Sequence, residues 1–109
     1  MDQERWTEVD RYIAERVLPA DSALEAALAA SDAAGLPAIQ VSPSMGKLLQ
    51  LFAQSIGARR ILEIGTLGGY STIWLARAVA PSVRVVTHSI QLLPKWRDQI
   101  SDVQVSASG

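Results

Sequence analysis

"RRILEIGTLGGYSTIWLARA" (residues 59–78) decides the fold. Its first part, Arg60–Ile64, is a short apolar run of strand type, and "STIWLARAVA" from Ser71 has the pattern of a helix that Pro81 ends. Between them lie glycines at 65, 68 and 69, and a second apolar run, "VRVVT" (83–87), follows. Strand, helix and strand with short joints predict a right-handed βαβ unit with parallel strands. Glu63 interrupts the first strand, the only acid between Asp32 and Asp98. Alternation places it on the face opposite Leu62 and Ile64, and burying it unpaired would cost several kcal/mol.

The turn excludes two common readings. A dinucleotide fingerprint needs glycine where Leu67 and Tyr70 stand, and a phosphate loop needs a lysine that is missing. In an open α/β sheet, ligands bind beyond the carboxyl ends of the strands. Gly65, Gly68 and Gly69 let backbone approach a ligand closely. Ser71, at the helix start, offers a hydroxyl and nearby N–H groups to a carboxylate. A fixed acid on one side and an anion site on the other suit a zwitterion, such as an amino acid joined to a nucleoside. The plainer reading makes Glu63 a solvated residue or a partner of Arg59 or Arg60.

Upstream, Trp6, Val9, Ile13 and Val17 share one face of an amphipathic helix that stops before Pro19. A second helix begins at an Asp21 or Ser22 cap, Ser22 and Glu25 having capping-box spacing, and Gly35 follows its end. Prolines 37 and 43 bracket an irregular segment. A third helix from Ser44 carries Leu48, Leu51, Phe52 and Ser55 along one side, and Gly57 closes it. Beyond Thr87 the pattern weakens: Pro94 interrupts "HSIQLLPKWRDQI", and 101–109 reads as a frayed tail.

A chain of 109 residues suits one domain, and its net charge of −1 gives no reason to expect nucleic acid or an anionic membrane as partner. Without cysteine there is no disulfide framework or thiolate metal site. The acidic start and the lack of an apolar run of about 18 residues make a cytoplasmic protein the expectation.

"VSPSMGKLLQLFAQSIGARRILEIGTLGGYSTIWLARA" resembles the N-terminal part of the cation-dependent class I O-methyltransferases, the group that includes the caffeoyl-CoA and catechol enzymes. The likeness covers about residues 5–87. It implies an α/β, Rossmann-like class I methyltransferase fold, truncated after the N-terminal helices and the first βαβ unit. Residues 1–58 would be the helical segment, 59–88 the βαβ unit with its glycine turn, and 89–109 a tail unlike the family.

The implied cofactor is S-adenosylmethionine. Glu63 would face it, Gly65 and Thr66 would let the turn close over it, Ser71 would bind the methionine carboxylate, and Val41 would pack near the methionyl end. Ser89 stands where the family carries a ribose-gripping acid. The implied chemistry is methyl transfer to a hydroxyl of a small, aromatic acceptor, with a divalent, Mg-like metal lowering the hydroxyl's pKa. The family's metal carboxylates have no counterpart here, Asp98 and Asp102 lying in the unmatched tail, so no catalytic or metal residue is assigned. The isolated chain is expected to be inactive.

Family members are commonly homodimers, and the face around Trp6 and Tyr12 is equally core or dimer contact. Trp74 and Leu75 are expected in the core, His88 in a loop, and Lys47 in solvent. Parallel sheets are normally covered on both faces, so the second strand should have an open edge. The alternatives to an enzyme are a non-catalytic S-adenosylmethionine or nucleoside-binding module and a helical fragment that needs a partner. Back-translated with G or C in free third positions, codons 95–105 read one frame over as V-A-R-P-D-L-G-R-A-G. That string resembles the family's next helix, so a frameshift near codons 81–90 is expected.

Overall fold

The computed structural model describes residues 2–88 and 103–106. Three helices lead in: α1 (Gln3–Val17), α2 (Ser22–Ala33) and α3 (Pro43–Ser55). Their starts are set by side chains that accept otherwise unpaired N–H groups. Asp2 accepts from Arg5, Asp21 from Leu24, and Ser42 from Met45, with Pro43 at the first turn of α3, where its missing N–H costs nothing. Gly35 and Gly57 close α2 and α3 with paired return bonds. Leu36 N–H reaches the Ser31 carbonyl at 3.0 Å, and Ala58 N–H reaches that of Ala53 at 2.9 Å.

β1 (Ile61–Ile64), α4 (Tyr70–Ala76) and β2 (Arg84–His88) follow, and β1 pairs parallel with β2 so that Glu63 stands opposite Thr87. Helix α4 stops short of the predicted Pro81. Ala78 N–H and Val79 N–H bond three residues back, to Leu75 and Ala76, and this tighter turning leads the chain towards β2. His88 ends β2 opposite Ile64 instead of lying in a loop.

The tail supplies a strand that the sequence reading does not foresee. β3 (Val103–Ser106) pairs antiparallel with β2, giving the order β1-β2-β3 and closing the edge expected to be open. The Val-Gln-Val alternation is enough to pair with an unfilled strand edge.

Leu24, Tyr70 and Trp74 form the core, with Leu18, Leu28, Val41 and Ile73 packed against them. The third helix keeps its apolar stripe outward. It turns Gly46, Gln50 and Ala53 inward, while Leu48, Leu51, Phe52 and Ser55 are exposed. The reason is the indole of Trp74, which packs directly on Gly46; a bulkier face cannot come that close. The stripe of α1 is uncovered too, with Trp6 and Tyr12 exposed and the Arg16 guanidinium 3.6 Å above the Tyr12 ring. In β1, Leu62 and Ile64 are 64% and 58% exposed on the sheet face away from α4. No described helix is long and apolar enough to cross a membrane.

One ion pair ties the lead-in to the βαβ unit. Arg77, at the end of α4, grips both carboxylate oxygens of Asp21, the cap of α2, with Nη2 at 2.9 Å from Oδ1. These hydrogen bonds hold the Asp21 carboxyl down at about 2 against the opposing effect of burial, and the Leu24 N–H adds to them. A depressed folded pKa contributes stability above the unfolded value of 3.8, and that stability is lost as pH falls from about 4 to 2. Both side chains are about a third exposed, 28% and 34%, so screening reduces the contribution to about 1 kcal/mol. Asp21→Asn should therefore lower stability by about that much at pH 7 and flatten the acid limb of the stability profile between pH 4 and 2. Urea melts at both pH values check it; an unchanged acid limb would show that the pair contributes nothing.

Candidate functional site

The glycine turn, the 39–41 segment and α2 enclose a cleft of about 220 Å³. From the turn come Ile64, Gly65, Thr66, Leu67 and Gly68, from α4 Tyr70 and Ser71, from the lead-in Ile39, Gln40 and Val41, and from α2 Leu28 and Ser31. The turn is built for this. Gly65 (φ 100°) and Gly69 (φ 83°) adopt the left-handed backbone that side chains disfavour, and Gly69 caps α4. A Cβ on Gly68 would stand 1.9 Å from Ser31 Oγ, so glycine there lets the turn close against α2. A Cβ on Gly65 would meet no protein atom within 4 Å. Backbone is thus presented to open space, as a ligand cradle requires.

Of the residues expected from the sequence, Val41, Gly65, Thr66 and Ser71 meet in this one cleft. Glu63 sits directly behind it. Ser89 lies outside the described residues, as do Trp96, Asp98 and Asp102. The cleft walls missed by sequence reading are Leu28, Ser31, Ile39, Gln40, Ile64, Leu67 and Tyr70. A turn at Gly35, followed by a proline-bracketed segment, was the available sign that 39–41 returns to α2. Lys47 stays away from the cleft, donating to Gln50 at 3.1 Å and lying 5.8 Å from the Trp74 ring.

Glu63 does not pair with Arg59 or Arg60, which are exposed. Its half-buried carboxylate accepts three hydroxyls: Ser71 on Oε2, and Thr72 and Thr87 on Oε1, the last at 3.0 Å. An ionised carboxylate only accepts, so each hydroxyl spends its one proton on it. Thr87 then has lone pairs left, and the hydroxyl of Thr66 donates to it. Ser71 is likewise committed: its proton points at Glu63, and its oxygen offers lone pairs to the cleft. That differs from the expected donor to a carboxylate. None of the cleft's lining residues is charged, and Glu63 behind Ser71 is the nearest fixed charge in the network described.

For a metal the donors do not fit. Among the described residues, no group of three or more His, Asp or Glu side chains gathers to hold an ion.

A ligand cleft at the carboxyl end of the first parallel strand, on a glycine turn leading into a helix, defines the front of a Rossmann-like α/β fold. A profile of the O-methyltransferase family matches residues 19–94, and the chain belongs to that family. It is 58% identical over 84 residues to a catechol O-methyltransferase of Mycobacterium tuberculosis, covering 77% of this chain and 38% of that protein. The O-methyltransferase of Bacillus cereus, solved in complex with SAH, superposes with a TM-score of 0.74 at 60% identity, over 77% of this chain and 38% of the other. TomG of Streptomyces achromogenes, solved with SAM, gives 0.72 at 53% identity, over 80% and 39%. The fold is therefore that of the class I methyltransferases, and the chain spans under two-fifths of the length of these relatives.

Proposed function

We propose that the cleft binds S-adenosylmethionine, and that the chain is the cofactor-binding front of an O-methyltransferase acting on a small aromatic hydroxyl compound. The observation that carries this is the charge of the cleft: no cation lines it, and an acid lies behind it. Such a wall disfavours a diphosphate and suits a ligand bearing a sulfonium and an ammonium. The relatives solved with SAH and SAM, and the name catechol O-methyltransferase, support the same reading. When bound, the cofactor would supply an electrophilic methyl group for transfer to an acceptor hydroxyl oxygen.

The residues present account for binding and orientation. Gly65 keeps the backbone open to the ligand, Val41 supplies an apolar wall, and Ser71 presents oxygen lone pairs that an ammonium can use. Glu63 and Thr66 hold the turn in place, and Ser89 would serve the ribose. Among the described residues, neither an acceptor site nor a set of metal ligands is assigned. The reading as a non-catalytic binding module differs only in that respect.

The chain alone should bind S-adenosylmethionine and transfer no methyl group. Calorimetric titration with the cofactor, followed by an assay with catechol and magnesium, tests both statements. Absence of binding would remove the cleft assignment, and methylated catechol would show that the chain is a complete enzyme. We take the exposed stripe of Trp6, Val9 and Val17 as the contact of a homodimer. Gel filtration of Val9→Glu against the unsubstituted chain decides the dimer.

A further inference from the structure

Two buried threonines stand where the fold has no packing need for a hydroxyl. Thr87 is fully buried on β2, two residues after Val85, which is equally buried on the same sheet face; valine has nearly the same shape. Thr72 is 2% exposed on α4. Burying a hydroxyl is unfavourable unless it is bonded, and both are bonded to the same Glu63 oxygen. Thr87 also accepts from Thr66, so a single line of hydrogen bonds runs from the turn through β2 to β1, and from there to α4 through Ser71 and Thr72.

Parallel pairing sets Thr87 directly opposite Glu63, so the strand register itself aims the hydroxyl at the carboxylate. Ser71 lines the cleft and cannot hold Glu63 from the far side; Thr72 and Thr87 can. We infer that Thr87, supported by Thr72, is a positioning residue. Through Glu63 and Thr66 it fixes the wall of the cofactor cleft without touching the ligand. This rests on the cleft being the S-adenosylmethionine site.

Thr87→Val keeps shape and burial while removing the donor to Glu63 and the acceptor for Thr66. Its Kd for S-adenosylmethionine, by calorimetry, should rise about tenfold, equivalent to about 1.4 kcal/mol. Thr87→Ser, which keeps the hydroxyl, should stay within about twofold of the unsubstituted chain by the same measure. Hydrogen exchange over 64–71 should accelerate in the valine variant, with 44–55 unchanged. Equal affinity in Thr87→Val, or a serine variant as weak as the valine one, would overturn the assignment. Should Thr87→Val fail to fold, Thr66→Val breaks the outer link on a half-buried side chain and must show the same loss. If the unsubstituted chain binds no cofactor, the cleft reading falls; the exchange comparison then still decides whether the threonines hold the turn.

Discussion

Gly46→Ala will be less stable than the unsubstituted chain by about 2 kcal/mol, although alanine is the better helix former. The position lies inside α3, where replacing glycine by alanine ordinarily gains about 1 kcal/mol. Here the added Cβ would stand 2.3 Å from both Cδ1 and Nε1 of Trp74, well inside contact distance. The indole is 6% exposed and packs in the same core cluster as Leu24 and Tyr70, so yielding to the Cβ would disturb that cluster. Overpacking of this kind costs about 1–3 kcal/mol, and the severity of the overlap puts it at the upper end. The difference decides the sign. Urea denaturation measures it, and a double-mutant cycle identifies the cause. In a Trp74→Leu background the same change should become neutral or stabilising. A more stable Gly46→Ala single variant would mean that α3 and α4 slide apart freely.

Glu63→Ala should act on binding and on folding together. Removing the carboxylate leaves the hydroxyls of Thr72 and Thr87 buried and without their acceptor, at about 1–3 kcal/mol each where no other partner is found. It also frees Ser71 and Thr66, whose positions define the cleft wall. Affinity for S-adenosylmethionine should fall at least tenfold, about 1.4 kcal/mol. Glu63→Gln separates charge from shape. Its amide keeps one acceptor oxygen but turns the other into a donor, which forces the Ser71 hydroxyl to reverse. Stability should then recover most of the way while affinity stays low. Calorimetry on both variants checks this, and unchanged affinity in Glu63→Ala would take the residue out of the site.

The βαβ unit was legible because Ile61–Ile64 and Arg84–His88 bracket a glycine turn of unmistakable placement. The helix starts were legible because Asp21 and Ser42 act locally on their own chain. Val41, Gly65, Thr66 and Ser71 were found through family likeness and do meet in one cleft. What failed depended on partners remote in sequence. The inward face of α3 is set by an indole 28 positions from Gly46, which the spacing of Leu48, Leu51 and Phe52 does not reveal. The partners of Glu63 come from α4 and β2, where three hydroxyls look ordinary in the sequence and no rule of spacing joins them. β3 was missed because four residues carry little pattern of their own until an edge is offered to them.

Trp74 has an optical consequence. It lies in the core with its indole N–H unbonded, on the same short helix as Ser71 and Thr72. An indole so shielded from water emits at shorter wavelength than an exposed one such as Trp6, which is 48% open to solvent. With Trp6 and Trp96 replaced by phenylalanine, the remaining emission comes from one fluorophore, one turn of helix from the cleft. Its colour reads whether α3 and α4 are docked, and a change on adding cofactor reads whether the glycine turn has moved. The molecule carries its own gauge of folding and occupancy.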